Sequence, residues 1–175
     1  LKGADLSEAD LTGANLNGAN LVRANLIYAS LRNADLTGAD LTGANLRGAD
    51  LRGAVLYNVN LRNADLRFSD FSRANLAGVK LAGTNIENVI LIRTFLGKAD
   101  FDGVNLRNAD LEEADLRGAI LSGFDMSGAN FMRSNLSGAD LRRAKLVGAN
   151  LVRAYLAGAN LKESNFVDAN LSEAY

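Results

Sequence analysis

A large apolar residue recurs at every fifth position along the whole chain. The stretch Leu31–Asp50 reads LRNAD LTGAD LTGAN LRGAD, and the 175 residues divide into 35 such words without insertion or deletion. Position 1 of the word is Leu in 29 words, position 4 is Ala in 25, and position 5 is Asp in 12 and Asn in 14. An internal repeat determines the architecture before any other feature does. The whole fold must therefore satisfy a five-residue period.

This period fits neither a straight helix nor a flat strand. In a helix, successive leucines would lie about 140° apart, so no apolar stripe would form. In a strand, an odd repeat sends successive leucines to opposite faces. The pattern is satisfied if the chain bends once per word. Positions 4, 5 and 1 then form an extended segment that points in, out and in, and positions 2 and 3 form the corner.

Position 3 supports a corner at this place. It is Gly in 16 words and Asn in five, and a type II turn needs a positive φ at its third residue, which these two types tolerate best. Words with Arg23, Tyr28 or Phe68 at this position are expected to use a different turn type. Four right-angled corners close a square, which predicts coils of 20 residues, parallel pairing between coils, and a rod of about 8.75 coils and roughly 40 Å.

The tandem Ala–Asp/Asn–Leu–x–x pattern resembles that of the pentapeptide repeat family over the full chain. The resemblance implies an all-β fold, a right-handed quadrilateral parallel β-helix (solenoid), here as a single domain spanning residues 1–175. The inward positions of the family correspond to positions 1 and 4, for example Leu36 and Ala34. The predicted core ladder includes Leu36, Leu56, Leu76, Leu96, Phe71, Phe131, Phe101 and Phe124.

The pattern loosens between residues 56 and 105. Larger or polar residues replace the usual Ala at Val59, Ser69, Val79, Thr84, Val89, Thr94 and Val104, while Ile90 and Phe95 replace Asp or Asn. This segment is either a seam between two repeat blocks or sequence drift, and one continuous rod is expected in both cases. Phe124 is the bulkiest residue at position 4, and it is interpreted as a core plug or, alternatively, as the wall of a ligand pocket.

Composition excludes several kinds of chemistry. The chain lacks His, Cys, Pro and Trp, which excludes disulfides, His or Cys metal sites, and Ser–His or Cys–His nucleophiles. Nineteen basic and 20 acidic residues leave a net charge of −1, so nucleic acid is not an expected partner. No apolar run is long enough to span a membrane. We therefore expect a cytoplasmic protein with no cofactor, no metal and no membrane contact.

One outward column at 20-residue spacing is a candidate basic ridge. It contains Arg73, Arg93, Arg133 and Arg153, interrupted by Glu113. Such a ridge suits an acidic partner or phosphates, and the alternative is a solvated edge whose arginines pair with nearby carboxylates. Exposed apolar residues are candidate protein contacts. Ile27, Tyr28, Phe68, Val147 and Val167 lie on one side, and Ile92, Met132 and Val152 line position 2 of the next side, directly before the ridge arginines.

The sequence favours a non-enzymatic interaction scaffold or regulatory binding module with a protein partner. Solenoid ends expose strand edges and apolar core, so an end-to-end homodimer or a further capping segment is expected. The alternative function comes from the resemblance, since some relatives mimic DNA and bind DNA gyrase. Mimicry requires a contiguous negative surface, whereas Asp is here dispersed over all four faces.

Overall fold

The computed structural model describes residues 1–175, and it is a stack of β-helical coils. Helices and multi-residue strands are absent, because each word consists of a turn at positions 2 and 3 and a bridge residue at position 5. The bridges are parallel and join residues 20 apart, from Asp5 with Asn25 to Asn150 with Asn170. This confirms an all-β fold in which four bends return the chain above itself. No helix of the kind that crosses a membrane occurs.

A regular word uses all five of its backbone N–H groups. Positions 1, 3 and 5 donate to neighbouring coils, position 4 closes the turn within its own word, and position 2 donates to the side chain of the preceding position 5. The word Leu41–Asn45 shows the full set: Leu41 to Asn60 O (2.8 Å), Thr42 to Asp40 Oδ1 (3.0 Å), Gly43 to Arg62 O, Ala44 to Leu41 O and Asn45 to Ala24 O (each 2.9 Å). The word is therefore a complete hydrogen-bonding unit. This stabilises the stack, because an unpaired buried backbone N–H costs free energy.

One turn geometry serves every word. Position 3 has a positive φ, between 54° and 76°, in all 35 words, and the N–H of position 4 always donates to the C=O of position 1. The expectation that Arg23, Tyr28 and Phe68 use another turn type was wrong. Stacked coils require matching corners, and a positive φ costs an ordinary residue only about 1–2 kcal/mol. No β-branched residue occurs at position 3, as this conformation demands.

The apolar core forms one continuous cluster of 48 residues from Leu21 to Ala154. Leucines of the first and last coils are more exposed, for example Leu1 and Leu171, because each of these coils is covered on one side only. Seven of the eight predicted ladder residues are buried: Leu36, Leu56, Leu76, Leu96, Phe71, Phe101 and Phe131. Phe124 is only partly buried and packs against the core, because the phenyl ring is too large for a position that usually holds Ala.

The hydrogen-bond ladder between coils is interrupted most completely at one word, Phe101–Asn105, here called the open word. No backbone hydrogen bond joins it to the coil on either side, and the bridges expected from Asn105 to Asn85 and Asp125 are absent. Flanking words lose inter-coil bonds as well, namely those donated by the N–H groups of Asn88, Lys98, Leu106, Asp110 and Ile120. Elsewhere on the same coils the ladder continues, as at the bridge between Phe95 and Asp115. The discontinuity lies at the end of the irregular segment 56–105.

Bulky inward side chains coincide with the open word. It carries Phe101 at an inward position, and Phe124 lies in the word stacked directly on it. Two phenyl groups replace the smaller residues usual at this corner, and a small apolar cavity lined by Phe101, Leu81 and Ile86 lies in the core beside it. The core is therefore packed irregularly here. The word is therefore held by side-chain packing and by its own turn bond, Val104 N to Phe101 O (2.9 Å).

Hydrogen exchange should detect the open word directly. We expect the amides of Phe101, Gly103 and Asn105 to exchange much faster than those of the matched word Phe131–Asn135, since exchange protection follows local hydrogen bonding. The matched word also has Phe at position 1, and its N–H groups are bonded to both neighbouring coils. Exchange followed by mass spectrometry or NMR provides the measurement. Equal protection of the two words would contradict the open corner.

Candidate functional site

The side chain at position 5 has a structural role in most words. The Oδ1 atom of Asp or Asn accepts the N–H of the residue two positions later, as in Asp35 with Thr37 N (2.9 Å) and Asn45 with Arg47 N (3.1 Å). The preference for Asp and Asn thus follows from capping the next turn. A residue of another type at position 5 gives up this hydrogen bond, so it needs a separate explanation.

Nine words lack Asp or Asn at position 5, and four of the nine lie in one column. The column residues that depart are Val55, Phe95, Tyr155 and Tyr175, and all four are exposed. The rings of Tyr155 and Tyr175 stack, with centroids 5.1 Å apart. We call this column with its flanking corner residues the Phe95 face. Phe95 is irregular in the sequence pattern, and the parallel bridges bring it into one column with Val55 and Tyr155.

The candidate basic ridge borders the Phe95 face, and ion pairs occupy most of it. Arg93 Nε lies 2.6 Å from Glu113 Oε2, and Arg133 Nη1 lies 3.5 Å from Glu113 Oε1. Arg153 Nε lies 2.7 Å from Glu173 Oε2. The hydrogen bond from Arg93 lowers the pKa of Glu113, and Arg133 contributes to the same shift. Of the four ridge arginines, the structure leaves Arg73 alone without a carboxylate within 4 Å.

Arg73 and Arg93 also line a depression of about 590 Å³ together with Arg32 and Arg52. We call these four residues the arginine notch. Arg52 is held by Asp50, with Nη2 to Oδ2 at 2.5 Å, whereas Arg32 Nε is 4.0 Å from the same carboxylate. Exposed pairs of this kind contribute little stability. The notch therefore presents one unpaired guanidinium, that of Arg73, and one loosely paired, that of Arg32, beside two that are ion-paired.

A second depression, of about 420 Å³, lies at the other edge of the Phe95 face. Its column of position-2 residues runs Tyr57, Ala77, Gly97 and Arg117, so two small residues separate two large ones. Asp115 holds Arg117 in place through Nε (2.9 Å) and Nη2 (2.6 Å). The face thus carries apolar residues, separated by Asp and Asn in its column, between two indentations.

Exposed aromatic residues elsewhere have partners within the chain. The guanidinium carbon of Arg47 lies 5.5 Å from the ring centroid of Phe68, a cation–π contact. The ring of Tyr28 occupies the space over Gly48, where a Cβ would come within 2.5 Å of ring atoms. Their exposure is explained by local packing. The ring of Phe95 has no stacking or cation–π partner in the chain.

The largest depression, of about 830 Å³, lies beside the open word between 83–90 and 103–110. Its walls are mostly polar backbone corners, with Asn85, Asn88, Asn105 and Asn108 among them. Two carboxylates, Glu87 and Asp110, line it, but Asp110 Oδ1 accepts the N–H of Glu112 (3.3 Å) and the Nδ2–H of Asn130 (3.0 Å) in the usual turn-capping role. No triad of nucleophile, base and orienting group is assembled there. The depression offers no arrangement suited to catalysis.

Comparison with known proteins identifies the repeat. The family model described as pentapeptide repeats matches with eight copies over residues 4–43, 34–67, 69–108, 109–148 and 149–175. No curated protein matches the sequence significantly.

Among solved structures, the chain is similar to HetL, a pentapeptide repeat protein involved in heterocyst differentiation regulation from the cyanobacterium Nostoc sp. strain PCC 7120. The identity is 32%, the TM-score is 0.59, and the match covers 98% of this chain and 86% of HetL. A pentapeptide repeat protein of the Arabidopsis thaliana thylakoid lumen is 38% identical over 62% of this chain and 68% of that one, with a TM-score of 0.26. QnrB1, a plasmid-mediated fluoroquinolone resistance protein, is 18% identical over 96% of this chain and 92% of its own, with a TM-score of 0.39. The sequence match and the HetL structure agree with the coil geometry, and this chain belongs to the pentapeptide repeat family.

Proposed function

We propose that this protein is a non-enzymatic scaffold or regulatory module that binds another protein. Its frame would be a single domain over residues 1–175, a right-handed quadrilateral β-helix of about 8.75 coils, which is 35 words divided by four. The observation that carries the proposal is the Phe95 face, where exposed apolar residues replace turn-capping Asp or Asn beside partly free arginines. Surfaces of this composition are typical of protein contacts. The regulatory role named for HetL is consistent with this class of function.

A protein partner fits the charge distribution better than nucleic acid does. The net charge is −1. Most arginines of the chain form an ion pair with a carboxylate, as Arg67 does with Asp65 at 2.6 Å. A duplex partner requires a tract of unpaired cations. We infer a location in the cytoplasm as part of the same proposal.

DNA mimicry is the second candidate function, and the experiment must distinguish it from protein scaffolding. The Asp side chains do not form an uninterrupted negative field, because arginines neutralise several of them: Arg52 with Asp50, Arg67 with Asp65, Arg117 with Asp115 and Arg142 with Asp140. A mixed surface of this kind supports scaffold binding over mimicry.

Two assays decide between these functions. In a DNA gyrase supercoiling assay, we expect the purified chain to leave enzyme activity unchanged even at a large molar excess. In affinity capture from the source organism, followed by reciprocal purification of each candidate, we expect a specific protein partner. Inhibition of supercoiling would establish the mimic instead, and failure to recover any reciprocal partner would refute the scaffold. Sedimentation velocity on the same sample tests for the end-to-end homodimer.

A further inference from the structure

We propose that the Phe95 face is the docking surface, and that its occupant is an acidic protein segment carrying at least one large apolar side chain. This rests on the proposed function and names the surface and the chemistry of the partner. Four residues carry the proposal: Val55 and Phe95 in the column, Tyr57 beside it, and Arg73 at its edge.

Phe95 is unfavourable for the fold at its own position. The neighbours above and below in the column both cap their turns, Asn75 to Ala77 N (3.1 Å) and Asp115 to Arg117 N (3.2 Å). At Phe95 the corresponding N–H of Gly97 has no acceptor in the chain, and the phenyl ring is 53% exposed. A residue that breaks a local structural rule without compensation within the fold is a sign of function.

Val55 and Tyr57 extend the apolar surface beyond Phe95. Both side chains are exposed, and Val55 shares the column with Phe95, with Asn75 between them. Tyr57 borders the depression whose floor includes Ala77. Aromatic residues in the middle of a patch, next to an indentation, are the residue types that dominate binding energy at protein interfaces.

Cations border this strip on both sides. Arg73 lies at one edge, and Lys98, which has no ion pair in the structure, lies at the other. Between Asp35 and Asp115, which end this part of the column, the strip contains no acidic residue: it consists of Val55, Tyr57, Asn75, Ala77, Phe95 and Gly97. Asp115 is itself neutralised by Arg117 (2.6 Å). Charge complementarity therefore selects a partner with carboxylates on either side of an apolar anchor.

Other occupants fit this surface less well. A second copy using the same face would bring two surfaces that both carry unpaired cations, Arg73 and Lys98, against each other, because a two-fold interface uses the same patch of both subunits. A nucleic acid would place phosphates against an apolar centre. A protein segment that alternates acidic and apolar residues satisfies both parts of the surface.

Phage display of random 12-residue peptides against the folded chain tests the proposal. We expect enrichment of peptides that combine Asp or Glu with Leu, Phe or Trp. Resynthesised with a fluorophore, such a peptide should bind Phe95→Asn at least about tenfold more weakly and Arg73→Glu similarly more weakly. Phe95→Asn should keep or raise the thermal stability, because Asn restores the acceptor for Gly97 N–H.

Phe68→Asn is the matched control. Phe68 is 52% exposed, nearly the same as Phe95, but it lies on a different edge of the rod. Peptide affinity should be unchanged in this variant. Equal binding to Phe95→Asn and to the unaltered chain would overturn the docking surface while leaving protein scaffolding intact.

Three further outcomes would also overturn the docking surface. They are enrichment of basic peptides, no enrichment at all, and a 20-base-pair DNA duplex competing for the labelled peptide. Loss of a concentration-dependent dimer in Phe95→Asn would assign the face to a second copy of the chain instead.

Discussion

Leu56→Asp is expected to abolish the cooperative fold at room temperature. Leu56 is fully buried, and its N–H donates to Asn75 O (2.7 Å) in an intact part of the ladder. Truncating a buried Leu costs about 2–5 kcal/mol, and an unpaired buried carboxylate adds several kcal/mol more. Together these approach the whole stability of a small domain, about 5–15 kcal/mol. Circular dichroism and thermal melting should show no folded baseline.

Ser137→Asp is the control for this substitution. Ser137 lies at an outward corner, and its hydroxyl makes no hydrogen bond within the chain. Its neighbour in the same column is Arg117, whose positive charge favours a carboxylate at residue 137. Thr42 is a poorer choice, although it is also at a corner, because its hydroxyl bonds to Asp40 and accepts from Asn60. A native-like melting curve for Leu56→Asp would show that position 1 does not face a dry core.

Acid should destabilise the rod over a window that begins near pH 4. Arginine hydrogen bonds lower the pKa of Asp50, Asp65, Asp115 and Asp140 below the ordinary value near 3.8, with the backbone N–H of the same arginine contributing. A carboxylate with a depressed folded-state pKa binds protons more readily when unfolded. Its stabilisation is therefore complete above the unfolded pKa and is lost as the pH falls through the folded one. Urea unfolding from pH 7 to pH 2 should show this loss.

Replacing these four Asp residues by Asn should flatten that acid response. Asn keeps the Oδ1 acceptor for the turn, as 14 words already demonstrate, but it does not titrate. We expect a modest loss of stability at pH 7, from four weakened surface pairs, and a smaller further loss below pH 4 than in the unaltered chain. An unchanged acid slope would mean that other carboxylates govern acid unfolding.

The inward ladder and the 20-residue register could be predicted from the sequence because they are properties of the period. Any chain with Leu at position 1 and Ala at position 4 must bend once per word to bury both. The turn at Tyr28 and Phe68 could not be predicted in this way. Isolated propensity favours another conformation there, but the neighbouring coils require the common corner.

The candidate site required the third dimension for a different reason. The sequence grouped Arg73, Arg93 and Arg133 correctly into one column, but whether a guanidinium is free depends on side-chain distances, and Glu113 engages two of them. Likewise, Phe95 is unusual because its neighbours Asn75 and Asp115 cap the following turns, and this capping is visible only in the structure. A residue is conspicuous only against the structural role that its neighbours perform.

The repeating sequence by itself determined the family, the coil and the inward-facing residues. A backbone with a five-residue apolar period can bury positions 1 and 4 together only if it bends once per word. The tertiary structure alone decided where the stack opens, how far Phe124 is buried, and which exposed side chains lack a partner. These features depend on how neighbouring coils fit together, since a side chain such as that of Glu113 pairs with arginines 20 positions away in the sequence.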